Sequence, residues 1–386
     1  MNPADLAPDY IRSIAPYQPG KPISDVAREL GLAEEDIIKL ASNENPLGAS
    51  PKALAAIEKA LGDLALYPDG GGFALKEVIC RKYGVKPEQV ILGNGSNDIL
   101  ELAARTFLTS ATSAIYSQHA FAVYPLATQA VGATGIEVAA KDFGNDLEAM
   151  LAAIRGHDDK DGHGEKSGHG EKAGSTRMIF LANPNNPTGT FVAAHELHAF
   201  LQRVPADVLV VLDEAYTEYL DAAQAYNSVP WLAEFPNLII SRTLSKAYGL
   251  AGLRVGFGFA SPDIIALMNR VRQPFNVNHL AMVAATAALE DDEFIARSRK
   301  VNAEGIAFLS AELKKRGITV IPPFGNFITF KIAGAGSVFQ ALLKQGVIVR
   351  PIAGYGLPDW LRVTIGTREQ NERFLSALDR VSLKAA

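Results

Sequence analysis

The 386-residue chain holds one cysteine, Cys80, so it can close no disulfide on itself and build no zinc site from cysteine pairs. That usage leads us to expect a reducing cytoplasm. Long apolar runs are also missing: the stretch 281–289 is short, Ala-rich and interrupted by Thr286, well below the roughly 18 residues a membrane span needs. The amino terminus, Met1-Asn2-Pro3-Ala4-Asp5-Leu6, has an acid where a secretory signal has bases, and no apolar segment follows, so export is not expected. Neither sign of charge dominates, with 37 Lys and Arg against 42 Asp and Glu, which excludes a broad nucleic-acid surface as the default. Gly93-Asn94-Gly95 lacks the third glycine of a dinucleotide fingerprint, and no Gly-Lys-Ser/Thr run completes a P-loop.

What is present is a repeated pattern. Short apolar runs at 90–92, 114–116, 136–139, 178–181, 208–212, 238–241 and 255–259 read as buried strands. Helical patterns at 98–107, 146–155 and 194–203 separate several of them, as right-handed crossovers require. The expected class is α/β, a doubly wound, mainly parallel sheet. A Pro-rich segment at 16–20 and an α+β pattern from about 291 onward predict a smaller lobe assembled from both termini. We place an arm and part of that lobe at 1–45, the large lobe at 46–285 and the rest of the small lobe at 286–386. Between 157 and 174 a six-residue unit, Gly-His-Gly-Glu-Lys-Ser, is nearly duplicated with no hydrophobic face to bury. His157, His163 and His169 could hold a transition metal, but a surface insertion explains them, and no metal site is expected.

In sheets of this class ligands bind at the carboxyl ends of the strands. Those ends are chemically loaded here. Gly93 to Asp98 offers backbone N–H groups and a helix N-terminus to a phosphate, although Ser96, Asn97 and Asp98 are equally good capping residues. Asp213 closes an apolar strand, where it needs a cation: a salt bridge would serve, and so would the protonated nitrogen of a pyridine cofactor. Lys246, at the end of a buried strand and flanked by Thr243 and Ser245, is either a solvated lysine or a Schiff-base amine.

Asn183-Pro184-Asn185-Asn186-Pro187-Thr188-Gly189, Asp213-Glu214-Ala215-Tyr216 and Ser245-Lys246 with Leu250 to Gly256 together resemble the fold-type I pyridoxal-phosphate aminotransferases. Leu40 to Pro46, Tyr67-Pro68-Asp69-Gly70 and Leu361 to Thr367 resemble the histidinol-phosphate aminotransferase branch. The resemblance covers the whole chain apart from 157–174. It implies pyridoxal 5′-phosphate as cofactor and Lys246 as the lysine that binds it and shuttles the proton. Asp213 would pair with the pyridine nitrogen, Asn186 and Tyr216 would bond the ring oxygen, and Phe121 would stack on the ring where many relatives have Tyr. The phosphate would rest on Gly95, Ser96 and Asn97, with Thr243, Ser245 and Arg254 around it. Tyr67 would reach the phosphate of a partner subunit, implying a homodimer. Arg350 and Arg362 would hold the substrate's anionic group, with Tyr17 and Asn43 closing over it.

The implied reaction is transamination of L-histidinol phosphate with 2-oxoglutarate. Two other activities share these motifs. One is transamination of phenylalanine or tyrosine; the other is decarboxylation of a threonine-phosphate type, in which the same electron sink breaks Cα–COO⁻ instead of Cα–H. A regulator that binds the cofactor without catalysis would carry a basic DNA-binding segment, and none precedes Pro22.

Overall fold

A computed structural model describes residues 2–155 and 174–382; of the insertion expected at 157–174, all but Gly174 lies outside them. The first strand, β1 (Ile38–Lys39), is followed by β2 (Val90–Gly93), β3 (Thr112–Ser117), β4 (Thr134–Val138) and β5 (Ser175–Ala182). Then come β6 (Leu209–Asp213), β7 (Leu238–Thr243) and β8 (Gly256–Phe259). All seven apolar runs read from the sequence are therefore strands, and they form one sheet in the order β2-β8-β7-β6-β5-β3-β4. Every pairing is parallel except the two made by β8.

Apart from the edge strand β4, which carries the exposed Glu137, the runs lack polar alternation because the sheet is covered on both faces. Along β6, Val210 and Leu212 enter one core while Leu209 and Val211 enter the other, as the two-residue period of a strand requires. The chain winds outward from β3 to β4, then returns through β5, β6 and β7. The order thus reverses between β3 and β5, which opens a crevice at their carboxyl ends.

Helix ends differ from the sequence reading for local reasons. The helix expected at 98–107 spans Ser96–Phe107, because Gly95, at φ 81°, ends the preceding loop and lets Ser96 begin the first turn. The helix expected at 146–155 spans only Leu147–Ala152. Asp146 caps it by accepting from Ala149 N at 3.0 Å, and the Arg155 backbone is already committed to Thr176, exchanging bonds of 3.0 and 3.1 Å.

A separate core gathers both ends of the chain. Ile38 and Leu40 pack with Leu309 and Leu313 of the helix Asp292–Lys315, and with Phe330 and Val363. The strands here are β9 (Phe327–Lys331), β10 (Val347–Ile348), β11 (Arg350–Pro351) and β12 (Trp360–Thr364). β11, β12 and β9 form an antiparallel sheet, while β1 pairs in parallel with β10. Among the described residues no helix is long and apolar enough to cross a membrane.

Close approach of backbones sets the rim of the crevice. A Cβ on Gly256, at the start of β8, would lie 2.6 Å from Ser96 N, 2.7 Å from Gly95 C and 2.8 Å from Arg242 O. Only glycine lets the helix N-terminus sit on the sheet there. Gly256→Ala should destabilise the protein by about 1–3 kcal/mol, since backbone must shift to admit the methyl; urea unfolding measures this, and an unchanged midpoint would show that the helix lifts freely.

Candidate active site

Sixteen positions carry the expected site, and all but Gly95 and Tyr67 line one cavity of about 260 Å³ at the carboxyl ends of β3, β5, β6 and β7. Gly95 lies beside it, with its backbone against the Arg254 guanidinium. Tyr67 is elsewhere on this chain: its ring stacks on Phe275 with centroids 4.9 Å apart, and the residue is 84% exposed.

At one end of the cavity the helix Ser96–Phe107 presents its first backbone N–H groups, the positive end of its dipole. Arg254, held in the left-handed region at φ 57°, donates to Ser245 Oγ at 3.4 Å and to the Ala251 carbonyl at 3.2 Å. Thr243 Oγ1 accepts from Ser245 N at 3.1 Å. Hydroxyls, helix end and guanidinium thus form a cradle suited to a phosphate.

Lys246 and Asp213 occupy the floor. Lys246 Nζ donates to the Ser42 carbonyl at 3.1 Å and lies 5.9 Å from the centre of the Tyr216 ring. Burial, reinforced by the nearby Arg362 charge, holds its pKa down to about 8. Burial acts oppositely on Asp213, pushing its pKa up to about 6 although the Tyr124 hydroxyl donates to Oδ2 at 2.9 Å. Oδ1 is buried with no hydrogen-bond partner, so the site offers one carboxylate oxygen to an incoming donor. Tyr216, whose pKa burial raises to about 12, stays a phenol, and its oxygen accepts from Asn43 Nδ2 at 2.8 Å.

The remaining wall comes from β11 and β12. Arg350 and Arg362 stand directly opposite each other in register, so their side chains leave the same face. Two cations so placed repel unless an anion lies between them. Arg362 bonds the Ala41 carbonyl at 2.7 Å and Asn186 Oδ1, sits 5.2 Å from the Phe327 ring centre and keeps a buried, unpartnered Nε. Arg350 donates to the Gln18 carbonyl at 2.6 Å and lies 5.6 Å from the Tyr17 ring centre. The Asn185 amide fixes the loop after β5, donating to the His119 carbonyl at 3.0 Å and to Thr188 Oγ1 at 2.8 Å.

Several contributors carry no role in the sequence reading. Tyr124 is one, although its spacing of three from Phe121 could have suggested a shared turn. The carbonyls of Ala41 and Ser42 have no side-chain signature at all. Arg242 forms a buried pair with Glu214 at 2.6 Å and lies 3.6 Å from Glu218, tying the ends of β6 and β7 together beneath Asp213 and Lys246. A charged residue in each apolar strand end was its only signal.

The model of the family described as aminotransferase class I and II matches residues 35–378. A histidinol-phosphate aminotransferase of Methylobacillus flagellatus is 59% identical over 377 residues, covering 98% of this chain and 97% of its own. Histidinol-phosphate aminotransferase 2 of Nitrosospira multiformis is 56% identical over 379 residues, 98% of this chain and 92% of its own. Among solved structures, the histidinol-phosphate aminotransferase of Sinorhizobium meliloti in complex with pyridoxal-5′-phosphate superposes with a TM-score of 0.86 at 26% identity, covering 99% of this chain and 98% of that one.

The depressed Lys246 pKa has a sign that can be tested in the cofactor-free protein. Below about pH 8 the amine is charged both folded and unfolded, and its desolvation opposes folding; between about 8 and its ordinary 10.5 that penalty fades as the unfolded amine also loses its proton. Lys246→Met should therefore stabilise the protein by roughly 2 kcal/mol near pH 7 and by much less near pH 10. Denaturant melts at the two pH values measure it, and a gain equal at both would mean that packing alone is responsible.

Proposed function

The chain belongs to the class I and II aminotransferase family, and from that premise we propose that it transfers the amino group of L-histidinol phosphate to 2-oxoglutarate, yielding imidazole-acetol phosphate and glutamate, a step of histidine biosynthesis. The observation that carries this reading is a cavity with two separate anion sites flanking an amine. The helix cradle with Arg254 is one; the opposed pair Arg350 and Arg362 is the other.

The residues fit pyridoxal phosphate as cofactor: a buried carboxylate oxygen without a partner, an aromatic face at Phe121, a lysine with a lowered pKa and a phosphate cradle. When bound, that group supplies a carbonyl that condenses with amines and a ring that withdraws electrons. Asp213 holds the proton at the ring nitrogen, a role its unpaired Oδ1 suits. Ser96, Asn97, Thr243, Ser245 and Arg254 hold the phosphate against the backbone at Gly95. Arg362 engages the Asn186 amide by its oxygen, which leaves the NH₂ group to donate to the ring oxygen. Asn43 likewise occupies an acceptor position on the Tyr216 hydroxyl, leaving its proton to donate. Lys246 Nζ accepts and returns the proton at the carbon bearing the amino group; with a pKa of about 8, an appreciable fraction is unprotonated near neutrality. Arg350 and Arg362 bind the phosphate of histidinol phosphate or the carboxylate of 2-oxoglutarate, and Tyr17 closes beside them.

We place the enzyme in the cytoplasm and read it as a homodimer in which Tyr67 of each copy reaches the other's phosphate cradle. The supporting feature is that Leu64, Leu66, Tyr67 and Phe73, close together along the chain, are all exposed apolar side chains. The lobes are those assigned above, 1–45 with 286–386 around 46–285.

Single-turnover changes in the cofactor's absorbance with histidinol phosphate, glutamate, phenylalanine and tyrosine test the reading. Fast conversion by histidinol phosphate and glutamate with slow aromatic turnover is expected. Comparable or faster aromatic rates would make the chain an aromatic aminotransferase, and no conversion by any donor would overturn transamination in favour of decarboxylation. Lys246→Ala should abolish turnover and the bound cofactor's band with the fold intact.

A further inference from the structure

We propose that Tyr124 is a positioning residue for Asp213: its hydroxyl holds Oδ2 so that Oδ1 is the oxygen left for the cofactor's ring nitrogen. This rests on the reading that the cavity holds pyridoxal phosphate. Tyr124 is buried, at 1% exposure, and its hydroxyl is 2.9 Å from Asp213 Oδ2. A buried phenol must find a partner, and a carboxylate is an acceptor whose charge the phenol's proton stabilises.

The phenol ring is braced so that the hydroxyl has one place to go. It stacks on Phe180 of β5, with centroids 5.0 Å apart and planes 4° from parallel. Its carbonyl accepts from Thr128 Oγ1 at 2.8 Å, and its amide donates to the Phe121 carbonyl at 3.0 Å. The Phe121 and Tyr124 rings meet edge to face, 6.0 Å apart at 85°. One turn at the end of β3 therefore supplies Phe121 for the cofactor's face and, through Tyr124, orients the carboxylate at its edge. A shift of that turn moves both contacts together.

Titration of the purified apoprotein with pyridoxal 5′-phosphate tests this, read by Kd and by the pH midpoint of the bound cofactor's visible band. Tyr124→Phe keeps the ring and removes the donor. It should weaken binding about ten-fold and displace the midpoint by about one pH unit, in an apoprotein that remains folded. In an Asp213→Asn background the same substitution should have no further effect on Kd. Phe180→Leu, which loosens the brace but keeps the hydroxyl, should lower the thermal midpoint and leave the pH midpoint in place. Unchanged Kd and midpoint in Tyr124→Phe, full additivity with Asp213→Asn, or an equal pH displacement in Phe180→Leu would each overturn the positioning role alone. Failure of the unsubstituted protein to bind pyridoxal phosphate would instead overturn the functional reading and this inference with it.

Discussion

Burial of charge at the carboxyl end of β6 is the constraint on which the rest of the site depends. A carboxylate there loses most of its hydration, and the same desolvation that raises the Asp213 pKa to about 6 lowers that of Lys246 to about 8. Each group is thereby pushed toward its neutral form until a ligand supplies what water no longer does. One layer below, Arg242 with Glu214 and Glu218 must be satisfied as a set, because removing any member strands the others in the core. That ionic layer also pins β6 against β7, the two strands whose ends carry Asp213 and the Lys246 turn.

Three consecutive residues then join this floor to the wall formed by β11 and β12. The Ala41 carbonyl accepts from Arg362, the Ser42 carbonyl accepts from Lys246, and the Asn43 amide donates to Tyr216. Asn43 is almost fully buried at φ 55°, and its own amide N–H donates to Thr364 Oγ1 at 2.9 Å while its carbonyl accepts from Asn326 at 3.0 Å. The left-handed turn aims neighbouring carbonyls at different partners, so that one short segment holds both cationic side chains. Asn43, expected to close over substrate, lines the cavity with its amide committed to Tyr216.

Much of the large sheet was legible because burial on both faces leaves an unbroken apolar run, and all seven runs read are strands of that sheet, although the edge strand β4 carries an exposed Glu137. Helix ends were less legible: Gly95 and the pairing of Arg155 with Thr176 decide them by backbone geometry. The antiparallel insertion of β8 between β2 and β7 was not read either, since an apolar run has no direction. The cavity positions of Lys246, Asp213, Asn186 and Arg254 follow from motifs placed after strands, and their order along the chain carries that information.

The sequence by itself determined the strands of the large sheet, the α/β class and the kinds of side chain at the crevice, because these depend on local patterns of burial and on residues that adjoin strand ends. Only the tertiary structure decided that Tyr124 holds Asp213, that Arg350 faces Arg362 and that the carbonyls of Ala41 and Ser42 hold the two cations. Those contacts join residues 12 to 321 positions apart, with backbone atoms among the partners. A backbone carbonyl has no residue type, so no reading of residue types could have found it.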